Sequence, residues 1–145
     1  MIGLPEDIIR SQIEEGKVYR FHDTVPEGSD IVPNHWHIVL RKDNDIVYFL
    51  CCTTKEGTIN SFIQTRGLDW KTKVHITPTP ENGLTEDTFL NCNQVKICEI
   101  ESLVSLMNDG LVRFDGEIVP DDYNRIKVGI LSSAVIEPYI KDLLV

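Results

Sequence analysis

The segment 34–54, NHWHIVLRKDNDIVYFLCCTT, constrains the fold of this chain more than any other. Two apolar runs, HWHIVL and IVYFLCC, flank the charged stretch Arg41-Lys42-Asp43-Asn44-Asp45. β-branched and aromatic residues fill both runs and Asp-Asn-Asp is turn chemistry, so the segment reads as a β-hairpin. IVYFLCC is apolar on both faces and must be covered on both, which predicts a central strand of a sheet. Alternate side chains of a strand share a face. His35, His37, Val39 and Arg41 are therefore expected on one side, and Trp36, Ile38 and Leu40 on the other. One strand face then offers two imidazoles and a guanidinium.

At 145 residues the chain is long enough to bury a core without covalent staples, and it reads as one domain, 1–145, with 1–15 as a helical extension. No apolar run approaches the roughly 18–20 residues that span a bilayer. The opening MIGLPEDIIRSQIEEG is acidic and lacks a basic region ahead of an apolar one, so a cytoplasmic, membrane-free location is expected. Cys51 and Cys52 are adjacent in a strand, and Cys92 and Cys98 lack Cys-x-x-Cys spacing. They read as reduced core thiols, set against a zinc or redox pair. The net charge of −9 disfavours extensive phosphate binding. Residues 35–75 nevertheless carry a local excess of two positive charges, which suits a local anion site.

Along the chain, 4–15 begins with Pro5, Glu6 and Asp7 and stops at Gly16, a short helix. Residues 17–22 alternate as a strand, and 23–33, with two prolines and Glu-Gly-Ser, form a loop placed to overhang the histidine strand. Residues 59–65 read as a strand or irregular edge, 67–75 as loop giving way to strand, and 77–83 as plain loop. Two strands are expected at 88–92 and 94–100, then an amphipathic helix at 101–108 ended by Gly110. LVRFDGEIV, 111–119, has the Asp-Gly signature of a type I′ hairpin. Residues 121–129 suggest a helical turn. Residues 132–144 suggest a helix capped by Ser132-Ser133, with Pro138 forcing a start near Glu137 or a bend. The class is mainly β with flanking helices, α+β.

Three readings stand for His35-x-His37. They are two ligands of a metal, which needs partners that no downstream spacing supplies; acid–base groups acting on RNA, since imidazoles take and return protons near neutrality; or hydrogen-bonded histidines of an ordinary strand. Thr53, at a strand end, places a hydroxyl at a sheet rim where it can meet a phosphate, though threonine is also simply a good strand residue. Arg41 and Lys42 sit beside the turn, available to phosphate or merely solvated. Trp70 lies beside Lys71 and Lys73, an aromatic–basic interleaving that suits base stacking, against the common role of tryptophan in a core or lid. No glycine-rich phosphate loop, nucleophile elbow or paired-carboxylate spacing is present.

The order of elements resembles the PemK/MazF superfamily of toxin-like proteins. Gly16-Lys17-Val18-Tyr19 is similar to its opening Gly-Asp-Ile-Tyr strand, and His35-Trp36-His37-Ile38-Val39-Leu40 to its Arg-Pro-x-Val-Val-Leu strand. Cys52-Thr53-Thr54 resembles the threonine-bearing end of the next strand. Leu84-Thr85-Glu86-Asp87-Thr88-Phe89 resembles its Leu-x-x-Asp-Ser-x element, Cys92-Asn93-Gln94 its Cys-Asp-Gln, and Gly129-Ile130-Leu131-Ser132 the Gly-x-Leu-Ser before the last helix. The resemblance covers 16–144 and leaves the first helix as an addition.

It implies a small Src-homology-3-like β-barrel with a C-terminal helix and a metal-independent endoribonuclease that cuts single-stranded RNA without a cofactor. It also implies a homodimer restrained by a cognate antitoxin. Carried over by position, His35 replaces the family arginine, Thr53 matches its threonine, and Asn93 replaces an aspartate and is no base. A working site then uses His35 or His37 for proton transfer, with Thr53, Arg41 or Lys96 stabilising the phosphorane and Asn93 and Trp70 contacting RNA. The alternative is a barrel that has lost the chemistry and binds a protein or nucleotide partner, which the charge of −9 and the missing arginine and aspartate favour.

Overall fold

In the computed structural model, which describes residues 5–145, the 34–54 hairpin is the middle of a six-stranded antiparallel sheet. The strands are β1 (Lys17–Phe21), β2 (Trp36–Asp43), β3 (Ile46–Thr53), β4 (Lys73–Ile76), β5 (Thr88–Glu99) and β6 (Val112–Glu117). Their order across the sheet is β4-β5-β3-β2-β1-β6, so β3, which holds the IVYFLCC run, is an interior strand as expected. The helices are α1 (Glu6–Gln12), α2 (Glu56–Arg66), α3 (Ile100–Asn108), α4 (Pro120–Leu131) and α5 (Pro138–Leu143). The class is therefore α+β, with an open sheet. The Glu117 N–H donates to the Glu81 carbonyl at 2.9 Å, one bond between β6 and the 77–87 loop where barrel closure would need a ladder.

Each face of the sheet has its own core. On one, Val18, Ile38, Leu40 and Leu50 pack with Ile126 and Ile130 of α4 and Ile140 of α5. On the other, Tyr19, Phe21, Val39 and Phe49 pack with Ile9 of α1, Leu103 and Val104 of α3, and Ile31 from the 22–34 loop. That loop does lie against the histidine strand: the Val32 N–H donates to His37 Nε2 at 3.3 Å.

Several local expectations are corrected. Residues 56–66 form a helix rather than an edge strand. Ile59 and Ile63, four apart, both bury, and Gly67 closes the helix at φ 62° while the Leu68 N–H bonds back to the Ile63 carbonyl. Residues 88–99 are one long strand, whose pairing with β3 shifts register between Leu50 and Cys52. Asp115-Gly116 is no hairpin turn. Val18 pairs with Gly116 and Tyr19 with Phe114, which leaves Asp115 as the extra residue of a bulge in β6. Residues 120–131 make a full helix with Pro120 in its first turn, and the last helix begins only at Pro138, the start its ring permits. Leu4, included in the expected first helix, lies outside the described residues.

Candidate functional site

The pairings separate the candidate residues. His37 opposes Cys51 and Val39 opposes Phe49, but the next pair is Arg41 with Tyr48, which leaves Leu40 as an inserted residue. This bulge reverses the alternation. Arg41 therefore departs from the histidine face expected of it, its Nε 2.7 Å from the Glu15 carboxylate, while Lys42 reaches the Arg10 carbonyl at 2.8 Å.

His37 is fully buried, 0 % exposed, with its ring edge-on to Phe21 at 5.0 Å and Phe49 at 6.0 Å. Its Nε2 accepts the Val32 N–H at 3.3 Å and its Nδ1 faces the His35 carbonyl at the same distance. Burial lowers its pKa to about 3. A neutral ring with both nitrogens engaged and no solvent path is a core group, which removes His37 as an acid or base. His35 is half-buried, its Nδ1 2.8 Å from the Pro33 carbonyl. A carbonyl only accepts, so in the neutral ring Nδ1 carries the hydrogen and Nε2 the lone pair. Continued by two residues, the β2–β3 register would set His35 opposite Thr53, but the ladder between the strands ends at His37 and Cys51.

Asn93 is buried and structural. Its Nδ2 donates to Thr72 Oγ1 at 2.8 Å and Asn91 Oδ1 at 3.0 Å, while its Oδ1 accepts the Ser133 hydroxyl at 2.7 Å. Lys96 opposes Phe49 on β5, and its charge is felt by both His37 and Cys51. Trp70, in a 3-10 turn, is 52 % exposed, with the Lys73 ammonium 5.7 Å from its ring centroid. All four cysteines are free thiols. Burial pushes Cys51 up to about 11 and Cys92 and Cys98 up to about 12. Protonated thiols of this kind are poor nucleophiles and ligands. Among the described residues no group of three or more His, Cys, Asp or Glu side chains is arranged to hold a metal.

One set of side chains at the sheet surface does converge, with Thr53 and Phe89 partly exposed and His75 exposed. Thr53 pairs with Phe89 and Phe89 with His75, so three neighbouring strands, β3, β5 and β4, present these side chains in one row on one face. The His75 ring stacks on Phe89, with centroids 4.7 Å apart and planes at 18°. Its Nε2 lies 3.0 Å from Asp87 Oδ1. Lys73, two residues earlier on β4, shares the face and is held by Glu56 at 2.6 Å and Asn60 at 2.9 Å. Of the residues singled out from sequence, Thr53 is in this row and Trp70 stands beside its Lys73 end; His35, His37, Arg41, Asn93 and Lys96 are not in it. His75 is not among the residues singled out from sequence and falls at the end of the expected 67–75 segment. The period-2 alternation of KVHI holds Lys73 and His75 together, but the partner strand that adds Phe89 and Thr53 is legible only in the register.

Two clefts border α4. One, of about 420 Å³, gathers Glu15, Glu81 and Glu117 against Ile118, Pro120 and Tyr123. The other, of about 320 Å³, runs between β4 and α4 past Lys71, Val74, Asn124, Arg125 and Val128. Arg125 is tied to Asp122 at 2.6 Å and to the His75 carbonyl at 2.7 Å.

Fold and site together define an α+β protein with an open antiparallel sheet and an exposed histidine–aspartate pair on one face. In comparison with known proteins, the chain matches no family model and no curated sequence. Among the described residues no helix is long and apolar enough to cross a membrane.

Proposed function

We propose that the chain is a PemK/MazF-type, toxin-like endoribonuclease that cuts single-stranded RNA without a metal, with a homodimeric state and an antitoxin partner as the corollaries of that reading. The observation that carries it is the open row on one sheet face, where the Thr53 hydroxyl, an aromatic ring and an imidazole stand side by side. Acid–base catalysis of phosphodiester transfer needs an exposed proton acceptor near hydrogen-bonding groups for the phosphate, and this row supplies both. Trp70 adds a ring face on which an unpaired base can stack. The proposed barrel-type fold rests on the order of the strands and the resembling segments.

A second reading has its own support. His37 is sealed and Asn93 is consumed by three structural hydrogen bonds, which favours a domain that binds a protein or nucleotide partner without turnover. The test is cleavage of a single-stranded RNA in EDTA by the wild type, His35→Ala and Thr53→Ala. The endonuclease reading expects cleavage by the wild type, with Thr53→Ala slower by tenfold or more, the order of one lost hydrogen bond to a charged phosphorane. Absence of cleavage by the wild type, with a tight complex formed instead, gives the binding reading.

A further inference from the structure

We infer that His75 is the proton acceptor of this site, with Asp87 as its positioning residue, and that the phosphodiester lies along the row Thr53–Phe89–His75. The inference deepens the endonuclease reading and rests on it for the chemistry, but the placement is argued from geometry alone. Asp87 Oδ1 is 3.0 Å from His75 Nε2, and a carboxylate only accepts, so in the neutral ring Nε2 carries the hydrogen and Nδ1 the lone pair. The carboxylate thus selects the tautomer and holds the ring, the relation of base to orienting group that active sites reuse.

The imidazole stacks on the ring of Phe89, the residue that stands between His75 and Thr53 in the row. Strands about 4.8 Å apart set the backbones of Thr53 and His75 roughly 10 Å from each other, so side chains reaching inward from both can meet one phosphate. The His75 side chain is 46 % exposed and Asp87 60 %, so substrate reaches them directly. The contrast with His37, sealed and bonded at both nitrogens, is complete.

The step balances without a metal or an oxidant. His75 Nδ1 takes the proton of a ribose 2′-hydroxyl as its oxygen bonds to phosphorus. The bond from phosphorus to the 5′-oxygen breaks, and that oxygen takes a proton from water. The products are a 2′,3′-cyclic phosphate and a 5′-hydroxyl end, and the imidazolium returns its proton to solvent.

Two measurements decide the matter. In EDTA, His75→Gln is expected to lose roughly 100-fold or more in RNA turnover, the span general-base catalysis covers, with its circular dichroism unchanged. Asp87→Asn is expected to lower kcat about tenfold or more with KM unchanged, the mark of a group that orients the base rather than binds substrate. Separately, the ring resonances of His75 in the wild type are expected to shift on addition of uridine 2′,3′-cyclic phosphate. Wild-type cleavage undiminished in His75→Gln overturns the assignment and leaves the endonuclease reading standing. If the wild type does not cleave, that reading and the role of His75 as a base fall together. A resonance shift then retains the row as a phosphate site, and an unmoved His75 removes that as well.

Discussion

A histidine can be spent on structure as fully as a leucine, and His37 is the case here. Its pKa of about 3 in the folded chain lies below the ordinary value of 6.5, because burial between two phenylalanines penalises the charged form. In the unfolded chain the same ring takes a proton as pH falls through 6.5. The folded state resists that proton until about pH 3. The contribution of His37 to stability is therefore complete above pH 6.5 and declines below it, by about 1.4 kcal/mol per pH unit at most. Between pH 6.5 and 4.5 the wild type is expected to lose stability more steeply than His37→Gln. Urea denaturation at a series of pH values reads the difference, and parallel curves would contradict it. Asn93 belongs to the same residue-level lesson, since its amide ties β5 to the 3-10 turn and to the α4–α5 junction, which a sequence motif alone reports as a candidate contact for RNA.

Among the elements, the close crossing of the 77–87 loop over β6 carries the most demanding geometry. A Cβ at Gly116 would stand 2.3 Å from the Glu81 carbonyl oxygen, and one at Gly83, where φ is +70°, would stand 2.1 Å from that of Asp115. Buried Asn82 holds the loop in shape, its Oδ1 accepting from the Thr79 and Leu84 N–H groups and its Nδ2 donating to the Thr77 carbonyl. Gly116→Ala is expected to cost roughly 1–3 kcal/mol, since backbone on both sides must move. A lowered midpoint in thermal denaturation reads it, and an unchanged midpoint would show that the loop gives way freely. The same region shows where sequence stops being legible. Asp115-Gly116 carries the chemistry of a tight turn, yet the glycine is used for contact with the loop and the aspartate for the Trp36 indole N–H at 2.7 Å. Both demands come from residues distant in the chain. The hairpin around Asn44 was readable because its apolar runs and turn residues are contiguous, and Asn44 itself adopts φ 53°. The helix at 56–66 was less so: its β-branched residues suggest a strand, and only the Ile59–Ile63 spacing and Gly67 record the other outcome.

At the scale of the whole molecule, one sheet serves as the shared wall of two cores. Leu50 packs on one side of β3 and Phe49 on the other, so neither core can be lost while its neighbour keeps its wall. Unfolding is therefore expected to be a single transition, with tryptophan fluorescence and far-ultraviolet circular dichroism coinciding in urea. Separated midpoints would show that the two cores melt apart. The margins of the wall have a consequence of their own. The outermost strand at one side, β4, has only four residues, and the Arg125 guanidinium already occupies the His75 carbonyl there. At the opposite margin Glu117 is bonded to the overlying loop. Neighbouring molecules therefore meet short, partly occupied rims, and a crowded population of this protein has little backbone on which to zip itself into fibrils.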